Sequence, residues 1–414
     1  MTEIPVRDEM IPPVPRITMQ AFCETAEMAA AVEAAALDRR MQKAHVRVQT
    51  GGAPAAAAAY SQAPTPNVVL LETRHQVQAE FLAQLDSLSE VCDAGTKVIV
   101  VGHVNDVTFY RELIGRGVSD YLIAPIDALG IVRAVSGLFS TPGAPPLGRT
   151  VAVIGAKGGV GSSTVAHNVG WALSRKLDMA TVIVDLDIAF GTAGLDFNQD
   201  PPQGIAEAIF APDRVDANMV ERLLSKCSDK LSLLAAPALL DRTCDLTETA
   251  FDNLLDILRA TTPAIVLDVP HVWTAWSRRL LIASDEIVIV AAPELASLRN
   301  AKNLVDLLRQ ARPNDRPPKV VLNQAAIPKR PEIGPSDFSK AIGLELSAVI
   351  PFDAQLFGTA ANNGQMIAEM QPNARCAELF DDLAGIVAGR TGERRARRTM
   401  LDPILSKLTR RRAS

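Results

Sequence analysis

The chain has few aromatic residues, few cysteines and no long apolar run, and each shortage excludes a class of protein. Among its 414 residues, no stretch of 18 apolar residues is free of charges, so we expect no membrane-spanning helix. The opening stretch MTEIPVRDEMIPPVPR lacks an apolar core, which argues against a signal peptide. Five scattered cysteines without metal-ligand spacing indicate reduced thiols in a cytoplasmic protein.

Charge is also unevenly distributed along the chain. The net charge is −5, yet residues 390–414 carry nine Lys and Arg residues against only Glu393 and Asp402. With aromatic residues at 4% and an acidic body, the chain is a poor candidate for wrapping nucleic acid. A content of 48% hydrophobic and 21% charged residues is instead typical of a globular protein with a real core.

Two α/β domains are predicted, because short apolar strands alternate with helical segments on both sides of a Pro- and Gly-rich stretch. This alternation indicates doubly wound parallel sheets covered by helices on both faces. The low-complexity run GGAPAAAAAYSQAPTP at 51–66 is expected to be an irregular loop. The predicted organisation is a flexible N-terminus (1–15), a first domain (16–139), a linker (140–149), a second domain (150–389) and a basic tail (390–414).

In the second domain, apolar strands end in polar or glycine-rich positions. The strands are predicted at 150–155, 181–185, 264–268, 287–291, 319–323 and 347–353. They lead into the loop GAKGGVGSSTVAHN (155–168), Asp185 and Asp187, Asp268, Pro293 and Glu294, and Asn323. Because ligands of parallel sheets sit beyond the carboxyl ends of the strands, we expect these positions to converge on one site.

The glycine-rich loop has the composition of a phosphate-binding turn. Gly158, Gly159 and Gly161 allow positive φ and close backbone approach, so successive N–H groups can form a nest for an anion. The free N-terminal amides of the helix that begins near Ser162 point toward the same anion. The usual pattern G-x-x-x-x-G-K-[ST], however, requires a lysine where this chain has Ser162 and a glycine where it has Ala156. We expect Ser163 to ligate Mg²⁺ and Thr164 to bond an inner phosphate.

The first domain resembles a response-regulator receiver in the order and spacing of its elements, notably GVSDYLIAPI at 117–126. The receiver's chemical residues do not carry over. Glu72 stands where the phosphoacceptor aspartate is expected, Ala124 replaces the lysine before Pro125, and only Glu24 remains of the acidic cluster. We therefore expect a docking or dimerisation module without phosphorylation.

The motif KGGVGSST resembles the deviant Walker A motif of the MinD/ParA superfamily, and the likeness spans roughly residues 150–385. It implies that Lys157 reaches across an ATP-sandwich dimer to the partner's nucleotide and that Asp187 activates water. Asp185 and Asp268 correspond to the two switch motifs, with Asp268 acting on Mg²⁺ through water. Asn323 matches the asparagine that reads adenine. The implied nucleotide set is Lys157, Gly158, Gly159, Val160, Gly161, Ser162, Ser163, Thr164 and Asn323; the implied Mg²⁺ set is Ser163, Asp185 and Asp268.

Within that superfamily the chain resembles the CpaE/TadZ group of Flp (Tad) pilus assembly proteins. The likeness rests on DLDIAFGTAGLDF, LLAAPALL, APELASLRNAKNL and IPFDAQLFGTAANNGQMI, with the atypical receiver in front. It implies an ATP-dependent homodimer that marks the assembly site, usually a cell pole. Its implied partners are the pilus secretion ATPase and the inner-membrane pilus platform proteins.

Replacement of the loop lysine by Ser162 weakens the expected phosphate contact. Loss of one charge-assisted hydrogen bond costs about 1.5–3 kcal/mol, a ten- to hundredfold loss in affinity. Hydrolysis depends more steeply on charge stabilisation in the transition state, so we expect ATP binding with slow or absent turnover. Rival functions are an active partitioning ATPase, which needs a lysine at 162, a nucleotide-free structural hub, and a cluster-bearing reductase, which needs cysteines beyond each switch.

The remaining motifs leave alternatives open. Apolar residues of the tail at 400, 401, 404, 405 and 408 share one helical face flanked by arginines, which suits peripheral membrane contact, partner docking or a solvated tail. The five histidines are isolated along the chain, and for His271 after the second switch a surface position is favoured over contact with a phosphate. Trp273 and Trp276 are expected at a dimer or partner surface.

Overall fold

Two mainly parallel β-sheets organise the chain in the computed structural model, which describes residues 11–74, 78–140, 143, 145–201, 203–236, 240 and 245–390. The predicted fold class, two α/β units with parallel sheets, is confirmed. Grouping by contacts also divides the chain into two units. The predicted tail, apart from Arg390, lies outside the described residues.

Five strands form the first sheet: β1 (Ile17–Cys23), β2 (Ala44–Thr50), β3 (Val68–Thr73), β4 (Lys97–Gly102) and β5 (Asp120–Ile123). Their order is β2-β1-β3-β4-β5, and every pair is parallel. The helices between and after them are α1 (Ala26–Ala36), α2 (Ala53–Tyr60), α3 (Gln78–Ser89), α4 (Val107–Gly115) and α5 (Ala128–Gly137).

Strand β3 shows why this sheet is covered on both faces. Its residues Val68, Val69, Leu70 and Leu71 are all fully buried. Alternate side chains of a strand point to opposite faces, so Val68 and Leu70 join one apolar cluster and Val69 and Leu71 another. A continuous apolar run is therefore the expected pattern for a central strand of a parallel sheet.

The expectation of an irregular loop at 51–66 was wrong for residues 53–60, which form α2. Alanine has the best intrinsic helix propensity, and Pro54 is tolerated in the first turn. Tyr60 at the end of the helix is buried, with its ring 5.8 Å from that of Phe22. Low sequence complexity here reflects tight packing of small side chains rather than irregular structure.

The first unit extends to Leu147 and also includes residues 274–284 and 303–318. Asp315 in the last of these segments lies 2.8 Å from Nε of Arg39 and 2.5 Å from Nη2 of Arg40, and all three side chains are buried. The grouping therefore differs from the predicted boundaries, which placed both later segments in the second domain.

Eight strands form the second sheet: β6 (Arg149–Gly155), β7 (Thr181–Asp185), β8 (Ser225–Lys226), β9 (Leu231–Leu234), β10 (Ala264–Val269), β11 (Glu286–Ala291), β12 (Lys319–Ala325) and β13 (Leu346–Pro351). Their order is β13-β12-β11-β6-β10-β7-β9-β8. All neighbours are parallel except β8 and β9, an antiparallel pair that the sequence pattern did not predict.

Eleven α-helices follow β6 among the described residues: α6 (Ser162–Arg175), α7 (Ala193–Asp196), α8 (Ile205–Phe210), α9 (Ala217–Leu223), α10 (Asp252–Thr261), α11 (Ala275–Ala283), α12 (Leu295–Ala311), α13 (Pro335–Ile342), α14 (Ala354–Asn363), α15 (Ile367–Met370) and α16 (Arg375–Val387). In the described part of the chain, no helix is long and apolar enough to cross a membrane. The four cysteines in the described part of the chain, at 23, 92, 227 and 376, are free.

Candidate functional site

A glycine-rich loop, residues 156–161, connects β6 to α6 at the carboxyl edge of the second sheet. Gly159 and Gly161 have φ of 79° and 83°, a conformation that residues with a side chain rarely adopt. A Cβ on Gly161 would also lie only 2.6 Å from Nδ2 of Asn323. Gly158 does not adopt positive φ, contrary to expectation, and a Cβ there would meet no atom within 4 Å.

The backbone N–H groups of this loop are not used within the fold. From Lys157 to Thr164, none donates a well-formed hydrogen bond to another residue in the described part of the chain. The first regular bond of α6 comes one residue later, from the N–H of Val165 to the carbonyl of Gly161 at 3.0 Å. Unpaired amides at a helix N-terminus favour an anion, so the loop is a candidate phosphate site.

The carbonyl groups of the same loop, in contrast, are held by side chains from neighbouring connections. Each bond is 2.8–2.9 Å long: His271 Nδ1 to Gly155 O, Asn300 Nδ2 to Ala156 O, Gln324 Nε2 to Gly159 O, and Asn323 Nδ2 to Val160 O. We call these four side chains the carbonyl belt. Because the belt binds the four carbonyls of Gly155, Ala156, Gly159 and Val160, it fixes the loop and leaves the amides available for a ligand.

The motif expects a lysine at two positions, 157 and 162, and only the first has one here. Lys157 is half-exposed, and its Nζ lies 2.7 Å from Oε1 of Glu294, which follows β11. Ser162 begins α6, and its Oγ lies 3.2 Å from the point that a Cβ on Gly155 would occupy. The loop therefore carries a single lysine, which is paired within its own chain.

The first switch motif, DLD, forms a tight turn after β7. Asp185 is buried, and its carboxylate accepts bonds from the N–H groups of Asp187 at 3.0 Å and Ala193 at 3.1 Å. Asp187 accepts a bond from the N–H of Phe190 at 3.0 Å, so it is part of the turn. Burial, together with the charge of Asp268, raises the pKa of Asp185 to about 6. This carboxylate would be stabilised by a cation.

The second switch aspartate lies beside the first. Asp268 is buried and pairs with Asp185 in the register of β10 and β7. Its Oδ2 lies 3.3 Å from Nε2 of His167, whose Nδ1 lies 2.7 Å from Asp196 Oδ2. Burial would lower the pKa of His167, but its contacts with the two carboxylates outweigh that effect and raise it to about 10.

The structure thus brings the predicted residues Lys157 to Thr164, Asp185, Asp268 and Asn323 to one edge of the sheet. Asn323 is buried, and its amide nitrogen holds the loop, so its predicted contact with adenine stays a prediction. Four carboxylate and imidazole groups crowd this edge, yet among the described residues no cluster has the arrangement of a self-sufficient metal site. A metal here would need ligand atoms from a bound phosphate and water.

Sequence reasoning missed several residues of this site. His271 is exposed, as expected, although its Nδ1 also contacts Gly155 O. The expectation that His167 is isolated was wrong, because it is buried and contacts Asp196 and Asp268. Asn300 and Gln324 were not predicted at all. The available signal was their position near the end of a buried strand or in the helix that follows one, but nothing in the spacing shows which loop carbonyl each would reach.

The first sheet carries a different arrangement at its carboxyl edge. Glu72 is buried, and its carboxylate accepts bonds from Glu24 N at 2.7 Å, Thr25 N at 2.8 Å and Thr25 Oγ1 at 2.7 Å. Glu24 in turn accepts a bond from the N–H of Arg74 at 3.0 Å. Oε1 of Glu72 also lies 3.6 Å from Nε2 of His103. Internal donors therefore satisfy the residue that stands in the phosphoacceptor position.

The chain is similar to known P-loop ATPases. A family profile described as "AAA domain" matches residues 148–318. The septum site-determining protein MinD of Bacillus subtilis is 24% identical over 253 residues, which cover 59% of this chain and 90% of MinD. A ParA family ATPase from Chlorobium tepidum TLS is 26% identical, with coverage of 57% of this chain and 98% of that one and a TM-score of 0.52.

The fold, the loop and the two switch aspartates together define a P-loop protein of the MinD/ParA superfamily. The pilus assembly protein CpaE from Caulobacter crescentus is 48% identical over a region covering 32% of this chain and 100% of the solved CpaE chain, with a TM-score of 0.31. On the strength of that sequence identity, the chain belongs to the CpaE-type family of this superfamily, as the sequence motifs predict.

Proposed function

We propose that this chain is an ATP-binding localisation and assembly factor for a Flp (Tad) type IV pilus, with weak or absent hydrolysis. The observation that carries the proposal is the run of unpaired amides from Lys157 to Thr164, held in place by the carbonyl belt. These amides have no hydrogen-bond acceptor in the part of the chain that the structure describes, and a triphosphate is the anion that suits the length of the run and its position at a helix N-terminus.

The residues at the edge also fit a magnesium ion bound together with the nucleotide. Asp185 is buried with a raised pKa, so a nearby cation would offset the cost of its charge. Asp268 lies on the neighbouring strand in register with it. Ser163 and Asp185 would hold Mg²⁺, and Asp268 would act on it through water. Mg²⁺ retains several waters in most nucleotide sites, which suits this incomplete set of protein ligands.

Exposed apolar side chains that follow strands of the second sheet support dimerisation around ATP. Phe190, Trp273, Leu295 and Phe352 are 69%, 51%, 74% and 43% exposed, and each follows the carboxyl end of a strand. Large exposed apolar residues that gather on one face indicate an interaction surface. A second copy of the chain placed there would also bring Lys157 of each subunit toward the nucleotide of the other.

Ser162 sets the expected level of activity. The loop keeps its amides, its helix terminus and Lys157, but it lacks the cation that would contact the outer phosphates in cis. Binding therefore survives in weakened form. Hydrolysis, which requires stabilisation of charge developing in the transition state, is slow or absent.

The proposed partners follow from the family. The Caulobacter relative is described as a pilus assembly protein. We propose that this chain acts at a cell pole on the cytoplasmic side of the inner membrane, where it recruits the pilus secretion ATPase and platform proteins. The first unit serves as a docking module, and residues 390–414 make peripheral membrane contact. Nucleic acid is not a proposed ligand.

Isothermal titration calorimetry of the full chain with ATP and Mg²⁺ tests nucleotide binding. We expect a dissociation constant in the micromolar to low millimolar range, weakened by Lys157→Ala, with Lys176→Ala as a matched control. Lys176 is an exposed lysine directly after the C-terminal end of α6, where it contacts Asp381. Its loss therefore leaves the loop at the other end of the helix intact. Absence of binding at millimolar ATP would contradict the proposal and favour a nucleotide-free hub.

A second measurement separates the proposal from an active partitioning ATPase. Ser162→Lys is expected to tighten ATP binding about ten- to hundredfold, because it restores one charge-assisted hydrogen bond. The wild-type protein is expected to hydrolyse ATP more slowly than this variant. A wild-type turnover equal to that of the variant, together with a shift of nonspecific DNA in a gel, would favour the partitioning function.

A further inference from the structure

His167 is enclosed between two carboxylates that belong to different elements. It lies on α6 and is fully buried. Its Nδ1 is 2.7 Å from Oδ2 of Asp196 at the end of α7, and its Nε2 is 3.3 Å from Oδ2 of Asp268 at the end of β10. The imidazole therefore bridges the second switch motif and the short helix that follows the first.

The bridge couples its members because of where it lies. Buried charged groups depend on their partners, so displacement of either carboxylate would remove one of the two contacts that stabilise the buried imidazole. The ring of Phe197 packs 5.6 Å from that of His167 and closes the site on one side. A displacement of Asp268 is thus expected to be passed to His167 and on to Asp196.

Helix α7 is held at both of its ends by this edge of the sheet. The N–H of Ala193 donates to Oδ2 of Asp185 at 3.1 Å, and Asp196 contacts His167. Leu195 on this helix is 73% exposed, and Phe190 precedes the helix on the same connection. The position of α7 therefore determines how these two apolar side chains are presented to a partner.

We propose that His167 is a positioning residue that transmits the position of Asp268 to α7, and through it to the apolar surface formed by Phe190 and Leu195. The inference rests on the proposed function only in that ATP with Mg²⁺ is the ligand that would displace Asp268. His167 contacts neither ligand in this scheme and acts through the carboxylates on each side.

Two routes connect Asp268 to α7, and a test must distinguish them. One runs through His167 and Asp196; the other runs through Asp185, the strand neighbour of Asp268, and the N–H of Ala193. Replacing His167 interrupts the first route and leaves the second in place. Comparison of one substitution at Asp268 in two backgrounds therefore isolates the contribution of the imidazole.

The experiment is hydrogen exchange with mass spectrometry on the full chain without nucleotide. Asp268→Asn is expected to raise the exchange rate of amides at 190–198 about tenfold when His167 is present. In the His167→Gln background the same substitution is expected to change that rate less than about twofold. Asp187→Asn, at a residue with no contact to His167, serves as the matched control and should act equally in both backgrounds.

Equal effects of Asp268→Asn in the two backgrounds would overturn the proposal. Should His167→Gln fail to fold, Asp196→Asn interrupts the same route at a side chain that is partly exposed. In that background too, exchange at 190–198 should no longer respond to Asp268→Asn, and a retained response would overturn the proposal. Calorimetry with ATP on the same samples tests the proposed function separately, since the exchange comparison requires no nucleotide.

Discussion

The two sheets carry acidic residues at equivalent edges but treat them in opposite ways. At the edge of the first sheet, the carboxylate of Glu72 accepts bonds from two backbone N–H groups and one hydroxyl, so its acceptors are filled by the fold. At the edge of the second, a run of amides has no partner within the described residues, and Asp185 has a raised pKa. Similar topology thus supports one closed edge and one edge prepared for a ligand.

The difference lies in which groups the fold leaves unpaired, rather than in the folding pattern. Glu72 is one methylene longer than an aspartate, and it reaches the N-terminus of α1, where it takes the place that a ligand would fill. In the second sheet the side chains near the loop bind its carbonyls instead, so the donors stay available.

Removal of the carboxylate at the closed edge should have the largest effect on stability. Glu72→Ala leaves three donors near α1 without an acceptor, and hydrogen bonds to a charged group contribute about 1.5–3 kcal/mol each with partial overlap. We expect the free energy of unfolding to fall by about 3–5 kcal/mol in urea titrations. Glu112→Gln, at an exposed ion pair with Arg116, should change it by less than about 1 kcal/mol. A similar small effect for both would show that the closed edge is not held by Glu72.

At the carboxyl edge of the second sheet, the charge of Asp185 should oppose folding near neutral pH. Its pKa is raised from 3.8 to about 6, so the folded state binds the proton more tightly than the unfolded state. The associated stability is present below pH 3.8 and is lost as the pH rises through 6. Asp185→Asn cannot ionise, so its stability relative to the wild type should rise by about 3 kcal/mol between pH 4 and 7. Urea titrations at several pH values measure this change, and a difference independent of pH would contradict it.

Weakening the carbonyl belt should reduce both ATP binding and the stability of the fold, by similar free energies. Asn323→Ala removes the bond to Val160 O from a buried side chain, which should cost about 1–2 kcal/mol of unfolding free energy. ATP affinity should fall about tenfold, because the loop loses its preorganised conformation. Gln324→Ala removes a comparable bond at an exposed position and should have a smaller effect on both quantities. Calorimetry measures the ATP affinity of the two variants, and urea titration measures their stability. Equal losses for Asn323→Ala and Gln324→Ala would contradict this account of the loop.

The ion pair of Lys157 should contribute least. Both side chains are about half-exposed, so Glu294→Gln should change the free energy of unfolding by less than about 1 kcal/mol. It also frees Lys157 from its own chain, so ATP-dependent dimerisation, measured by analytical ultracentrifugation, should be equal to or stronger than that of the wild type. Weaker dimerisation would indicate that Glu294 itself contacts the partner subunit.

The sequence was sufficient to predict the elements that depend on local pattern. The apolar strands that lead to Asp185, Asp268 and Asn323 were predicted because the central strands of a parallel sheet, buried on both faces, are continuous apolar runs. The positive φ angles of Gly159 and Gly161 were predicted because glycine is the residue that adopts this conformation readily. These features are set within a few residues of the positions that show them.

Features that depend on distant partners could not be predicted. His271, Asn300 and Asn323 reach loop carbonyls 116, 144 and 163 positions away, and no periodicity encodes such a pairing. His167 sits on the buried face of α6, where an isolated histidine has no pattern that distinguishes it from a core residue. The short pair β8 and β9 was missed because Ser225–Lys226 is too brief to show an alternation.

The carbonyl belt has a consequence for the order of events during synthesis. His271 follows β10, and Asn300 lies in α12. The other two members lie near the end of β12, so Gln324 is the last of the four to be synthesised. A nascent chain that has already completed β6 and α6 still lacks the contacts that fix their connection. The binding pocket therefore matures late, and a fragment that stops before β12 would contain the entire glycine motif without its working shape.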